Sequence, residues 1–97
     1  MIIQHKQDGQ RGLFFLPDGE EVLAEMTYIR HDPTTIIIDH TEVDEDFRGQ
    51  NVGYQLVEAA VEYARQHQLK IVPVCMFAAA VFQKKADYQD VLKEEQL

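Results

Sequence analysis

The sequence predicts an α/β fold of the α+β kind, a mixed sheet in which antiparallel N-terminal strands lead into one parallel β-α-β unit. Three observations predict it. Turn signals at Asp8-Gly9 and Pro17-Asp18-Gly19 divide residues 2–29 into short β-type runs. Past residue 50 the apolar period lengthens from two to between three and four. A β-type run then returns, and a strand-helix-strand order with so long a crossover requires a parallel pair joined right-handedly.

The elements follow in order. Ile2 to Lys6, Gly12 to Leu16 and Val22 to Ile29 read as strands, the last placing Val22, Ala24, Met26 and Tyr28 on one face. Short connections make them antiparallel neighbours. After a turn at His31-Asp32-Pro33, residues 34–43, TTIIIDHTEV, start with β-branched residues. Their unbroken Ile36-Ile37-Ile38 predicts a central strand covered on both faces. Val52, Leu56, Ala59, Ala60, Tyr63 and Ala64 then form the apolar stripe of a helix of about four turns. Residues 69–74, LKIVPV, form the next strand. Pro73 has no N–H for a ladder, so this strand is expected to part from its neighbour near its C-terminal end. A short apolar helix, a break near Ala86-Asp87 and a polar terminal segment complete the chain.

Ninety-seven residues suffice for one domain with one core, 1–97. A 45% hydrophobic content is that of a globular protein. The formal charge of −8, with no basic cluster in view, disfavours a nucleic-acid partner, since phosphate binding draws on Lys and Arg. The longest apolar run, Val74 to Phe82, has nine residues where a spanning helix needs about twenty, so no membrane partner is expected. Cys75 is the single cysteine and the N-terminus lacks a secretory apolar stretch, which predicts a cytoplasmic location. His5, His31 and His67 show no site-like spacing, and no metal-ligating cluster is seen.

Residues 44–56, DEDFRGQNVGYQL, form the loop after the expected central strand and the first turn of the helix. Open sheets bind ligands at the C-terminal ends of parallel strands. A helix N-terminus with small residues lets an anion reach unpaired N–H groups, here through Gly49 and Gly53, and Arg48 adds a guanidinium fork suited to phosphate. The alternative is structural: Asn51 as a helix cap and the glycines as a turn. Neither the P-loop nor the dinucleotide fingerprint is present.

Residues 40–92 resemble the small, single-domain branch of the GNAT superfamily of CoA-dependent N-acetyltransferases. The superfamily's pyrophosphate motif, Arg or Gln, two residues, Gly, one residue, then Gly or Ala, falls on Arg48, Gly49, Gln50, Asn51, Val52 and Gly53, with Asn51 where glycine is usual. Asn is the residue that best tolerates a left-handed backbone after glycine. The branch's signature of Pro, apolar, Cys, any residue and aromatic is matched by Pro73-Val74-Cys75-Met76-Phe77. Tyr88 matches a tyrosine of the branch, although Lys85-Ala86 stand where His-Pro is usual.

The resemblance implies acetyl-CoA as co-substrate, no metal, and a small-molecule amine or exposed lysine as acceptor that attacks the thioester directly. It places the pyrophosphate on residues 48–53 and the Val43 backbone N–H on the carbonyl. A base is then needed for the ammonium, and His40 and Glu42, alternating onto one strand face, are candidates; the alternative is a solvated strand end. Cys75 either lines the cleft, shuttles a proton or is transiently acetylated. Phe77 and Phe82 are expected in the core, with an edge touching the pantetheine arm. Two functional readings stand: an acetyltransferase, and a non-catalytic acyl-CoA-binding module whose acidic surface recruits a basic partner.

Overall fold

In the computed structural model, which describes residues 2–93, glycine makes the first two chain reversals. Gly9 and Gly19 have φ of 63° and 62°, values that L side chains rarely adopt. Strand β1 (Gln4–Asp8) therefore folds tightly back on β2 (Arg11–Asp18), and β2 on β3 (Glu21–Asp32). The third reversal is closed by Asp32, whose Oδ1 accepts from the Thr34 N–H at 2.9 Å, and leads into β4 (Thr35–Val43). Strand boundaries shift from the apolar runs because pairing, not burial, defines them. All five residues of β1 are exposed.

Helix α1 (Val52–His67) crosses to β5 (Lys70–Pro73), giving the sheet order β1-β2-β3-β4-β5 with only β4 and β5 parallel. Helix α2 (Met76–Lys84) follows. Lys85 is extended and ends it, and a 3-10 helix (Ala86–Val91) leads to Leu92, which bridges Ile71 on the free edge of β5. The predicted break thus falls at Lys85. Of the predicted polar terminal segment, residues 94–97 lie outside the described residues.

One core unites these elements. Phe14, Leu16, Ala24, Met26, Tyr28, Ile36, Ile38 and Ile71 of the sheet pack with Val52, Leu56, Val57, Ala60, Val61 and Ala64 of α1 and with Ala78, Val81 and Phe82 of α2. The opposite sheet face carries Leu13, Thr27, Ile37 and Val72, which are half-buried. The expectation of a strand covered on both faces is therefore corrected. Ile36 and Ile38 are fully buried, but Ile37 lies on the uncovered face beside its partners Ile29 and Val72, and aliphatic neighbours shield it instead of a second layer. β4 is an interior strand, one in from the edge, while β3 is the middle one. Val22 also departs from its predicted face and is 49% exposed, because the register shifts between Leu16 and Pro17 before it can follow Ala24 inward. Among the described residues no helix is long and apolar enough to cross a membrane.

Candidate active site

Pro73 ends the parallel ladder. β4 and β5 pair from Thr35 and Lys70 to Ile38 and Pro73, after which the N–H groups of Val74 and Cys75 both donate to the Ile38 carbonyl at 3.0 Å. Beyond this fork the chain turns into α2. Residues Asp39 to Val43 make no backbone–backbone hydrogen bond on that edge of β4 among the described residues.

A bulge re-aims β4 at the same place. Thr27 pairs with His40 and Tyr28 with Ile38, so Asp39 is the extra residue, and its Oδ1 accepts from Thr27 Oγ1 at 2.6 Å. Before the bulge Ile36 and Ile38 face the helices. After it Thr41 and Val43, opposite the buried Met26 and Ala24, face them, while His40 and Glu42 face the uncovered side. His40 Nε2 and Glu42 Oε2 stand 3.8 Å apart, with both side chains largely in solvent.

The loop after β4 is shaped by its own backbone. Asp44 Oδ1 accepts from the Asp46 N–H at 2.9 Å and starts a 3-10 turn over Glu45–Phe47. Arg48 is extended, Gly49 has φ of 86°, and Asn51 has φ of 62°. Asn51 stands at the N-cap position of α1, yet its side chain makes no capping bond; only its carbonyl is engaged, accepting from the Gln55 N–H at 3.0 Å. The residue is therefore explained by its left-handed backbone rather than by capping. The N–H groups of Val52, Gly53 and Tyr54 have no acceptor among the described residues. They form the positive end of a helix of sixteen residues.

These parts enclose a cleft of about 530 Å³. His40, Thr41, Glu42 and Val43 form its strand side, Phe47, Arg48, Gly49 and Asn51 its loop side, and Val52, Gly53, Tyr54 and Phe77 its helical side. Gln50 is exposed in the loop and is not on the wall. Phe77, expected in the core, is 38% exposed and lines the cleft with its ring against Gly53 and edge-on to Tyr54 at 6.0 Å. Gly53 thus makes room for Phe77. Phe82 is buried as expected, with the buried Tyr88 edge-on to it at 6.0 Å. Burial, and then the charge of Glu58, push the Tyr88 phenol up.

Cys75, expected to line the cleft, is half-buried and is not among the lining residues; it adjoins one of them, its thiol donating to Thr41 Oγ1 at 3.3 Å. Burial pushes this thiol up, but the Thr41 hydroxyl and the backbone N–H groups of Ala78 and Phe77 more than offset it, so it lies below an ordinary cysteine. No N–H of α2 makes a full capping bond to the sulfur. The proximity of that helix end nonetheless favours the thiolate. The sequence around Cys75 carries no sign of these neutral donors. Thr41, Phe47 and Tyr54 line the cleft without having been expected there, although Tyr54, an aromatic within the first turn after Asn51, is a usable sign.

Residues 13–91 match the family model described as GCN5-related N-acetyl-transferase. The chain belongs to that family. A GCN5-like protein from Staphylococcus aureus, solved by NMR, is 39% identical over 96% of this chain and 90% of its own, with a TM-score of 0.72. Two crystal structures share the fold at lower identity. One is a GNAT family acetyltransferase from Elizabethkingia anophelis with acetyl-CoA bound, 21% identical over 77% of this chain and 52% of its own, TM-score 0.63. The other is the ribosomal-protein-S18-alanine N-acetyltransferase from Escherichia coli, 16% identical over 80% of this chain and 53% of its own, TM-score 0.66. This GNAT chain thus spans about half the length of those two. No curated protein matches it. Among the described residues no group of three or more His, Cys, Asp or Glu is placed to hold a metal ion.

Proposed function

We propose that this GNAT protein acts as one domain that transfers an acetyl group from acetyl-CoA to an amine, with the amine attacking directly. The observation that carries the proposal is the fork at Ile38, where a strand edge without backbone partners opens beside a helix N-terminus with three unpaired N–H groups and Arg48. This donor set fits a diphosphate: backbone N–H groups, a guanidinium and, at Gly49, a left-handed turn with open space where a side chain would stand.

Acetyl-CoA supplies an activated thioester, whose C–S bond breaks as the amine nitrogen bonds the carbonyl carbon. In this reading Arg48 and the N–H groups of Val52, Gly53 and Tyr54 hold the pyrophosphate, with Gly49, Gln50 and Asn51 shaping the loop. The Val43 backbone N–H polarises the carbonyl oxygen. His40 or Glu42, adjacent on the uncovered face, takes the proton from the incoming amine. The acceptor is a small amine or an exposed lysine. An acetylated Cys75 is the second reading; the lowered thiol and its contact with Thr41 of the cleft wall support it, although Cys75 is not itself a lining residue.

Incubation with acetyl-CoA and a panel of amines, following release of free thiol, tests the proposal. Amine-dependent release with acetylated product supports it. Tight CoA binding with no release for any amine or lysine peptide indicates a binding module instead.

A further inference from the structure

On the sheet face turned away from the helices, Phe15, Leu13, Thr27, Ile29, Ile37 and Val72 form a diagonal band from β2 to β5. Phe15 is buried yet stands outside the core, with Lys6 Nζ 5.1 Å from the centre of its ring; the others are half-buried. Charge is sorted by sign across this band. On one side Lys6 lies opposite Leu13, and Arg11 opposite Ile29. A cavity of about 550 Å³ opens beside these two cations, with Asp8 the one carboxylate on its wall. On the other side Glu25 lies opposite Phe15, and Glu42 opposite Glu25. Like charges directly opposite on neighbouring strands destabilise a sheet. Among the described residues Lys6, Arg11 and Glu25 form no ion pair, and Glu42 has only the 3.8 Å contact with His40.

Such a face is complementary to itself. A half turn about the diagonal lays the apolar band on its own copy and sets the cations over the carboxylates, which is the arrangement an isologous contact requires. We propose that two copies of the chain associate through this face, with Lys6 and Arg11 of each meeting Glu25 and Glu42 of the other at the cavity. From the spacing of strands and residues the diagonal runs at about 45° to the strands, so the two sheets cross at about 90°, one of the angles at which sheets pack. The face is about 24 Å wide over its five strands and about 24 Å long from Leu23 to Ile29. Two copies thus cover about 1,100 Å², which clears the size of a specific but exchangeable contact. Each copy carries a charge of −8, so the attraction acts at the face and not at long range. The contact also relieves the repulsion between Glu25 and Glu42. Arg11 of the second copy then stands beside His40 and Glu42 of the cleft wall, and both copies shape that end of the cleft.

Sedimentation equilibrium tests the inference. At about 100 µM the wild type is expected to have twice the chain mass of 11.2 kDa, since a contact of this size gives micromolar association or better. K6E/R11E and E25K/E42K each place like charges across the contact and are expected to weaken the dimer about tenfold or more. An equimolar mixture of these two variants is expected to restore a dimer with one copy of each, because every reversed group then faces a reversed group and every native group a native one. On dilution of the wild type, the amide resonances of Leu13, Thr27 and Ile37 are expected to shift while that of Glu62 on α1 stays in place. A wild type that is monomeric at that concentration overturns the inference and leaves the face to solvent or to a different protein. A dimer that neither variant weakens also overturns it, as does a mixture that stays monomeric.

Discussion

The Phe77 ring occupies the place where a side chain on residue 53 would project: a Cβ on Gly53 falls 2.5 Å from Phe77 Cζ. Gly12 is in the same position toward Tyr28, whose ring atoms crowd its missing Cβ. The neighbours differ in freedom, since Tyr28 is 1% exposed and Phe77 is at the surface. Gly12→Ala is therefore expected to destabilise the fold by about 1–3 kcal/mol, the usual cost of overpacking, measured by urea denaturation. Gly53→Ala is expected to cost less than Gly12→Ala and to act on ligand affinity by displacing Phe77 within the cleft. Equal destabilisation by the two substitutions would contradict this account.

Arg48 is exposed and has no ion-pair partner among the described residues, so its replacement leaves the fold largely untouched. Arg48→Ala is expected to weaken CoA binding by about 1.5 kcal/mol, near the low end for a charge-assisted hydrogen bond, with little effect on unphosphorylated pantetheine. Asn51→Gly is expected to preserve or tighten CoA binding, since the backbone there is already left-handed and the side chain caps nothing. Calorimetry on both variants decides; unchanged CoA affinity in Arg48→Ala removes the residue from the site.

Cys75 separates the two chemical readings. The rate of its alkylation is expected to rise with a midpoint below that of a free cysteine, and Thr41→Val is expected to move the midpoint up by removing a hydroxyl that steadies the thiolate. If Cys75 only packs beside the cleft through Thr41, Cys75→Ser retains turnover within about tenfold, or about 1.4 kcal/mol in the barrier. Covalent catalysis instead requires a far larger loss, and an acetyl mass on the wild type that the serine variant lacks and that transfers to amine at the turnover rate.

His5 stacks on Phe14 at 4.4 Å and shares a 2.6 Å hydrogen bond with the Tyr28 hydroxyl. The residue is exposed as a whole, but burial of its ring face, and then the nearby His67, hold its pKa below the usual histidine value of 6.5. A lowered folded pKa means that the unfolded chain binds the proton first. The stability His5 contributes is thus present above 6.5 and lost as pH falls through the lowered folded value. The His5 ring resonance is expected to titrate below 6.5, and His5→Phe to lose less Tm than wild type between about pH 7.5 and about pH 5.5. A ring titrating at or above 6.5 would refute the assignment.

Turn chemistry and a change of period made the sheet order and the crossover legible, because Pro17-Asp18-Gly19 and the Val52 to Ala64 stripe each admit one local structure. The stripe's true core includes Val57 and Val61 in place of Ala59 and Tyr63, which are half-buried. A periodic reading places a stripe to within one residue in rotation, and only packing chooses the rest. Pro73 announced the parting of the strands because it lacks a donor. The bulge at Asp39 had no local sign: it depends on how Thr27 and Tyr28 of another strand fall in register, a relationship that no single segment carries. The burial expected of Phe77 fails for a similar reason, since its exposure follows from where α2 starts relative to Gly53.

The edge of β4 past Ile38 has a bearing on handling. Backbone groups open along an interior strand are a template for a strand from another molecule, and such pairing leads to aggregation. Glu42, Asp44, Glu45 and Asp46 crowd this stretch with like charge, so two copies that approach edge to edge repel each other. That protection is electrostatic and reversible. It weakens at high ionic strength, where mobile ions screen the like charges from one another. Storage at modest salt is therefore the condition in which this chain stays dispersed.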